Sequence, residues 1–127
     1  IDDHALKEKL AERIDGLEWI VNAAAIFAVV VVSDAEDTDD TNIIDAIIAS
    51  SQMMMAATAT HLGSSLVVDF DPEIVGSLIG ITSELSNLSV IALIPIGEAI
   101  DKGSQGYKRT LAELSNYNTL GQPYPYD

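Results

Sequence analysis

The sequence predicts an α+β fold in which an antiparallel sheet packs against a long central helix, with further helices at both ends. Helical periodicity in residues 4–15, 43–62 and 107–117 supports this prediction. So do the runs rich in Val, Ile and Leu between those segments, which are typical of buried strands, and the Gly or Pro that separates them. We expect one domain over residues 1–117 and an extended, Pro- and Tyr-rich tail over residues 118–127.

The N-terminal segments are predicted to be a helix and then a strand. Residues 4–15 form an amphipathic helix in which Lys7 and the other charged residues face water, and Asp2 or Asp3 caps its start. The apolar stripe of this helix repeats every four residues and contains Leu6, Leu10 and Ile14. Residues 19–32 are a continuous apolar run ending in four valines, which favours a buried strand, with room for a helical part or a second strand.

The central helix has the most unusual surface. Residues 46–68 contain no Asp, Glu, Lys or Arg, although 20% of the chain is charged. A helix without a charged face must be covered by its own fold, by a second copy or by lipid, and Gln52, His61 and the hydroxyl groups favour protein over lipid. Gly63 is the expected stop of the helix. We expect a homodimer interface on this helix, formed by Ile44, Ile47, Ile48, Ser51, Met54, Met55 and Thr58.

Three strands are predicted after the central helix, over residues 66–70, 74–82 and 88–96. Asp71-Pro72 separates the first strand from the second. Pro95 has no N–H to donate to a sheet, so we expect it at the end of its strand or on an edge. Residues 107–117 then form a short final helix.

The charge of the chain is strongly negative. Twenty acidic residues and six basic residues give a net charge of −14, which excludes binding to the nucleic-acid backbone. Because the acidic residues are spread along the chain, we favour adaptation to high salt over a patch for a basic partner. The chain has no cysteine, so disulfides, thiolate metal sites and a Cys nucleophile are excluded. We expect a cytoplasmic location, with extracellular or virion assembly as the alternative.

Motifs of catalysis are absent from the sequence. It contains no phosphate-binding loop, no dinucleotide fingerprint and no nucleophile elbow. His4 is expected to be solvated at a helix start, and His61 lies at the end of the central helix, where the dipole favours a cation. We therefore predict no enzyme, and no catalytic, cofactor-binding or metal-binding residue.

Two segments have an alternative interpretation as ligand sites. An acidic loop places oxygen ligands at calcium-like spacing, on Asp34, Glu36, Thr38, Asp40, Asn42 and Asp45. Asp39 stands where a calcium-binding loop of the EF-hand type needs Gly, so a solvated acidic turn is favoured. The Met53-Met54-Met55 triplet offers thioethers, but consecutive residues point to different sides of a helix, which favours packing over metal binding.

The order of elements resembles the roadblock / dynein light chain family. LKEKLAERIDGLEWIV resembles the first helix and its turn into the first strand, and NIIDAIIASSQMMMAATATHLGSSLVVDF resembles the long second helix running through Leu-Gly into a strand. GSLIGITSELSNLSVIALIPI resembles the following hairpin, and GYKRTLAEL resembles the closing helix. SDAEDTDDTN departs from the family's usual Asp-Gly turn. The resemblance implies a profilin-like sandwich that dimerises through its long helix.

The function predicted from this resemblance is a non-enzymatic homodimeric scaffold that binds a small GTPase or a signalling or motility assembly. The alternative is a structural subunit of a filament, coat or shell from a halophilic source, because heterologous contacts give open assemblies. A membrane-bound form is disfavoured, since a span needs about 20 apolar residues and residues 19–32 are too few.

Overall fold

The computed structural model describes residues 1–32, 41–100, 106–123 and 125. Within them the α+β class is confirmed, with an antiparallel sheet and a long central helix. The helices are α1 (His4–Arg13), α2 (Thr41–Ala59), α3 (Pro72–Leu78) and α4 (Leu111–Leu114), with two 3-10 helices at Glu18–Asn22 and Ser83–Leu85. The strands are β1 (Ala25–Val32), β2 (Gly63–Ser64) and β3 (Leu88–Gly97). The acidic loop and its calcium-like residues up to Asp40 lie outside the described residues.

The sheet has the order β1-β3-β2, so β3 is its central strand. Both pairings are antiparallel, and the β1–β3 register shifts between Val29 and Val30. Because β3 is covered on both faces, four consecutive residues, 92–95, are buried. The largest fully buried side chains of the core are Leu10, Ile20, Ile26, Leu93, Ile94, Val75 and Val90.

Pro95 lies inside the central strand, which corrects the expectation of an edge or end position. Its carbonyl accepts a hydrogen bond from the Ser65 N–H (3.3 Å), so the missing Pro95 N–H also falls on the β2 side. Ser65 is one residue beyond the end of β2, and pairing on this side of β3 continues only as the isolated bridge between Val67 and Leu93. The proline therefore removes no hydrogen bond between β1 and β3.

Helix α1 begins as predicted, because the Asp3 carboxylate accepts a hydrogen bond from the Leu6 N–H (2.7 Å). Lys7 departs from the prediction that it faces water. Its side chain is only 7% exposed, and its Nζ donates to the Ala23 carbonyl (2.7 Å). A long alkyl chain can be covered while its nitrogen reaches a backbone oxygen, so a helical charge pattern alone does not fix exposure.

A helix stands where the second of the three C-terminal strands was expected. Residues 72–78 form α3, since the Asp71 side chain accepts from the N–H groups of Glu73 (2.9 Å) and Ile74 (3.3 Å) and Pro72 opens the first turn. The predicted strand over residues 66–70 is reduced to one isolated bridge, between Val67 and Leu93. The sandwich expected from the roadblock resemblance is therefore wrong for the described residues.

The C-terminal segment contains less helix than predicted. Only Leu111–Leu114 is helical, and it starts at a capping box between Thr110 and Glu113. The following residues turn instead of extending, because the Tyr117 N–H donates to the Gln122 carbonyl (2.9 Å). The division into a domain and a tail remains a prediction.

Candidate functional site

A groove runs along α2 and has a volume of about 430 Å³. It is defined by Ile47, Ser51, Met54, Met55, Thr58, Ser64 and Leu66, which we call the α2 groove. Its helical wall consists of five of the seven residues predicted to form an interface. The other two, Ile44 and Ile48, are 54% and 50% exposed but do not line it.

The sequence of α2 explains why its large side chains are exposed. The buried residues of this helix are the small Ser50 and Ala57, which allow it to lie close to the sheet. Two of its hydroxyl groups donate within the helix: Ser50 Oγ donates to the Ala46 carbonyl (2.7 Å) and Thr58 Oγ1 to the Met54 carbonyl (3.0 Å). The outer face thus has the character of an apolar surface, although it contains Ser and Thr.

Helix α2 ends at Ala59, four residues before the predicted stop at Gly63. The Leu62 N–H donates to the Ala57 carbonyl (2.9 Å) and the His61 N–H to the Thr58 carbonyl (3.0 Å), which is a Schellman motif. His61 takes the left-handed position of that motif, with φ 62°. Gly63 follows this turn and is the first residue of β2. Strand β2 lies between the α2 groove and a second depression, because Ser64 lines both.

The second depression lies where β3 ends and has a volume of about 310 Å³. We call it the Trp19 cleft; its lining is Trp19, Asn22, Ala23, Gly63, Ser64, Ser65, Pro95, Ile96, Gly97, Glu98, Ala99 and Ile100. Two glycines bring backbone segments together here. A Cβ on Gly63 would lie 3.0 Å from the Ala99 Cβ, and one on Gly97 would lie 3.1 Å from the Ala24 nitrogen.

Glu98 is the one charged residue in the lining of the two depressions. Lys7 is close in the fold, but its nitrogen is held by the Ala23 carbonyl and its side chain is covered. Within the described residues, no three His, Cys, Asp or Glu side chains are placed to hold a metal ion. His4 is exposed beside Glu8 (3.4 Å), and His61 is exposed in the turn after α2.

Five residues predicted to form an interface line the α2 groove, and the interface itself remains a prediction; the Trp19 cleft was not predicted. The cleft is assembled from three distant segments, residues 19–23, 63–65 and 95–100. Gly63 and Gly97 were signals for close backbone approach, yet a single sequence does not show which segments they bring together. Among the described residues, no helix is long and apolar enough to cross a bilayer.

Solved structures of nitroreductase-family proteins match nearly the whole chain. A nitroreductase family protein from Clostridium novyi has a TM-score of 0.68 at 21% identity, over 97% of this chain and 69% of its own. An FMN-dependent nitroreductase from Clostridium difficile has a TM-score of 0.74 at 20% identity, over 94% and 73%. NfrA1 from B. megaterium has a TM-score of 0.79 at 14% identity, over 94% and 55%. No protein-family model and no curated protein sequence matches.

These matches establish a nitroreductase-type fold for the chain. The resemblance to the roadblock family is therefore wrong, and so is the GTPase-binding, non-enzymatic scaffold that it implied. The prediction of a self-assembling structural subunit is also wrong, because solved structures that share the fold are described as nitroreductases or oxidoreductases. Residues 74–82 were predicted as a strand, whereas residues 72–78 form helix α3. This error made the order of elements look like that of the roadblock family.

Proposed function

We propose that the chain is a flavin-dependent oxidoreductase that holds FMN against the α2 groove. The observation that carries this proposal is the fold match over 94–97% of the chain at TM-scores of 0.68–0.79, which includes an FMN-dependent nitroreductase. A fold hosts many functions, so the residues of the groove must also suit the cofactor.

The α2 groove suits the ring system of a flavin. Its volume of about 430 Å³ falls within the range of roughly 300–1,000 Å³ that is usual for small-molecule sites. Four of its seven lining residues are Ile, Met or Leu and the other three are Ser or Thr, and the two thioethers adapt to a flat aromatic face. No charged side chain lines it, so one face of the ring would meet mainly apolar side chains.

The phosphate of FMN needs a cation that the groove lining does not supply. Lys108 and Arg109 are exposed and adjacent in the C-terminal segment. They are two of only six basic residues in a chain of net charge −14. We propose that this pair neutralises the phosphate.

FMN, when bound, would supply the chemistry of hydride and electron transfer between a reduced nicotinamide and an aromatic acceptor. The contribution of this chain is to orient the ring and to keep water away from one face. Met54, Met55 and Leu66 would provide that apolar contact, and the Ser64 hydroxyl lies at the edge of the same groove.

We also propose that a second copy of the chain covers the exposed face of α2. Two chains of net charge −14 repel each other wherever charged surfaces meet, but the α2 face carries no charge beyond Asp45. Ile44, Ile48 and Met55 are 54%, 50% and 70% exposed, which is a large apolar area to leave in water. A second copy would cover this area and close the groove at the same time.

The direct test is loading of the purified protein with FMN at low and at molar salt. We expect the flavin to remain bound through gel filtration and to support oxidation of NADH or NADPH with a nitroaromatic acceptor. Circular dichroism that shows a folded chain, together with no retained flavin at either salt concentration, would contradict the proposal.

The phosphate assignment has its own test. In the Lys108→Gln/Arg109→Gln variant we expect FMN affinity to fall by about tenfold or more, because each lost charge-assisted contact weakens binding. Riboflavin has no phosphate, so its affinity should be unchanged. An equal loss of affinity for FMN and for riboflavin would show that Lys108 and Arg109 do not bind the phosphate. Lys9→Gln, which removes an exposed cation of α1, is the control.

A further inference from the structure

We propose that the Trp19 cleft is a separate binding site for a flat aromatic molecule that is neutral or positively charged. In this site the ring stacks on the Trp19 indole, and Glu98 disfavours anions. The site goes beyond the proposed function, because it requires no flavin for binding. It shares only Ser64 with the α2 groove.

Trp19 is held on a rigid element although its side chain is 46% exposed. It belongs to the 3-10 helix Glu18–Asn22, and the next residue, Ile20, is fully buried in the core. The Ile20 N–H donates to the Leu17 carbonyl (2.9 Å), and the Ala23 N–H donates to the Ile20 carbonyl (3.1 Å). An indole fixed at its backbone loses little conformational entropy when it stacks on a ligand.

The wall opposite Trp19 is also fixed. Pro95, Ile96 and Gly97 belong to the central strand of the sheet, and Pro95 is paired with Ile26 on one side while its carbonyl accepts from the Ser65 N–H. The neighbouring segments approach Gly63 and Gly97 so closely that a Cβ at either position would lie 3.0 or 3.1 Å from another atom, so they are tightly packed here. The cleft is therefore formed before a ligand arrives, as is usual for small-molecule sites.

The size and polarity of the cleft indicate the class of ligand. A volume of about 310 Å³ is near the lower end of the usual range and suits one or two fused rings. Asn22, Ser64 and Ser65 offer a few polar groups among largely apolar walls, which is the pattern that fixes a ring in one orientation.

Charge is the basis of selectivity. Glu98 is the one charged residue in the lining, and the covered Lys7 nitrogen is already used by the Ala23 carbonyl. An anionic ligand meets this carboxylate and the field of a chain of net charge −14. A cationic ring gains from both Glu98 and the face of the indole.

Trp19 is the only tryptophan of the chain, so its fluorescence reports on this cleft alone. The probes are three rings of nearly equal shape: nicotinamide, which is neutral, the N-methylnicotinamide cation and the nicotinate anion. We expect saturable quenching by the first two and an affinity for nicotinate that is lower by about tenfold, as one like charge near the surface would cause. Quenching that rises linearly with equal slopes for all three probes would show collision only and would overturn the proposal.

The variants separate stacking from charge. In Glu98→Gln we expect nicotinate to bind within about threefold of nicotinamide, because the repelling carboxylate is gone. Glu84→Gln, which changes an exposed carboxylate outside the cleft, should keep the discrimination of the native chain. Trp19→Ala, followed by equilibrium dialysis, should lose about tenfold or more of the nicotinamide affinity; unchanged affinity would remove Trp19 from the site.

Competition distinguishes this site from the flavin site. If FMN at saturating concentration leaves the nicotinamide affinity unchanged or raises it, the two sites are separate. Competitive displacement by FMN would put the flavin in the Trp19 cleft and overturn the assignment of a second site. A chain that fails to retain FMN but still shows saturable, charge-selective quenching would contradict the proposed function and leave this inference intact.

Discussion

Helices α1 and α2 use their apolar residues in opposite ways. Helix α1 contacts the first 3-10 helix and α3, and it buries Leu10 completely while its charged residues, other than Lys7, face water. Helix α2 contacts all three strands, yet it buries only Ser50 and Ala57. Its Ile47 and Met55 are 55% and 70% exposed. The packing of α1 is complete within one chain, whereas the apolar face of α2 is available to a ligand and to a second copy.

The largest effect is expected from a charge on the α2 face. Met54→Asp would place a carboxylate in an apolar contact, where an unpaired charge costs several kcal/mol. We expect the dissociation constant of the dimer to rise at least a hundredfold and bound FMN to be lost with the dimer. Light scattering and flavin absorbance at molar salt measure the two effects. Ala49→Asp adds the same charge on an exposed residue of α2 that lies on another side of the helix from Ile44 and Met55 and outside the groove, and it is the matched control. A native chain that is monomeric at high concentration would refute the interface.

The next effect concerns the core under α1. Leu10→Ala removes a fully buried side chain and should lower the free energy of unfolding by about 2–5 kcal/mol. Met55→Ala shortens a side chain that is 70% exposed, so it should change the unfolding of the monomer by less than about 0.5 kcal/mol. Urea denaturation at low protein concentration measures both. Equal losses in the two variants would mean that α2 is packed as completely as α1.

The two helices also differ in what the sequence could predict. The four-residue spacing of Leu6, Leu10 and Ile14 predicted α1, and the absence of charge predicted that α2 would present an unusual surface. Helix α3 was missed because Ile74, Val75 and Ile79 with two glycines look like a strand. The residues that identify a helix here are those at its start: Asp71 caps the helix, Pro72 is its first residue and Glu73 lies in its first turn.

The Trp19 cleft marks the limit of the sequence prediction. Its walls come from three segments that are separated by at least 30 residues along the chain, and they meet because β2 pairs with the end of β3. The register of that pairing follows from the whole sheet, so no local pattern contains it. The proposed redox function likewise rests on the three-dimensional fold, since no motif in the chain signals a flavin.

A smaller effect is expected where α2 ends. His61 takes φ 62°, a left-handed conformation that is unfavourable for a residue with a Cβ. His61→Gly should therefore raise the free energy of unfolding by about 1 kcal/mol, seen as a higher Tm. Asn118 has nearly the same backbone, φ 60°, but Asn tolerates it well, and it follows the last helix. Asn118→Gly should change Tm little, and a decrease in Tm for His61→Gly would show that the His61 side chain stabilises the turn.

The smallest effect concerns α4, which has a capped start like α1 but buries no residue. The Thr110 N–H donates to Glu113 (2.7 Å), and this bond, then the Tyr107 hydroxyl, lowers the pKa of the Glu113 carboxyl. The Tyr107 hydroxyl donates to the Glu113 carboxylate (2.8 Å), and this hydrogen bond raises the pKa of Tyr107. The contribution of Glu113 is thus present above its unfolded pKa and lost as the pH falls through its folded pKa, whereas that of Tyr107 is lost as the pH rises through its raised pKa.

The check is a pH titration of the amide resonances of residues 110–114 by NMR. We expect the Thr110 amide signal to move upfield at a pH below the usual pKa range of carboxyl groups, and the carbon-bound ring protons of Tyr107 to change at a pH above the usual tyrosine range. Glu113→Gln should abolish the acid step while the signals of α1 stay unchanged, because α1 is held by Leu10 and the core and α4 only by its cap. An acid step that persists in Glu113→Gln would assign the titration to another carboxylate and contradict the bond between Thr110 and the Glu113 side chain.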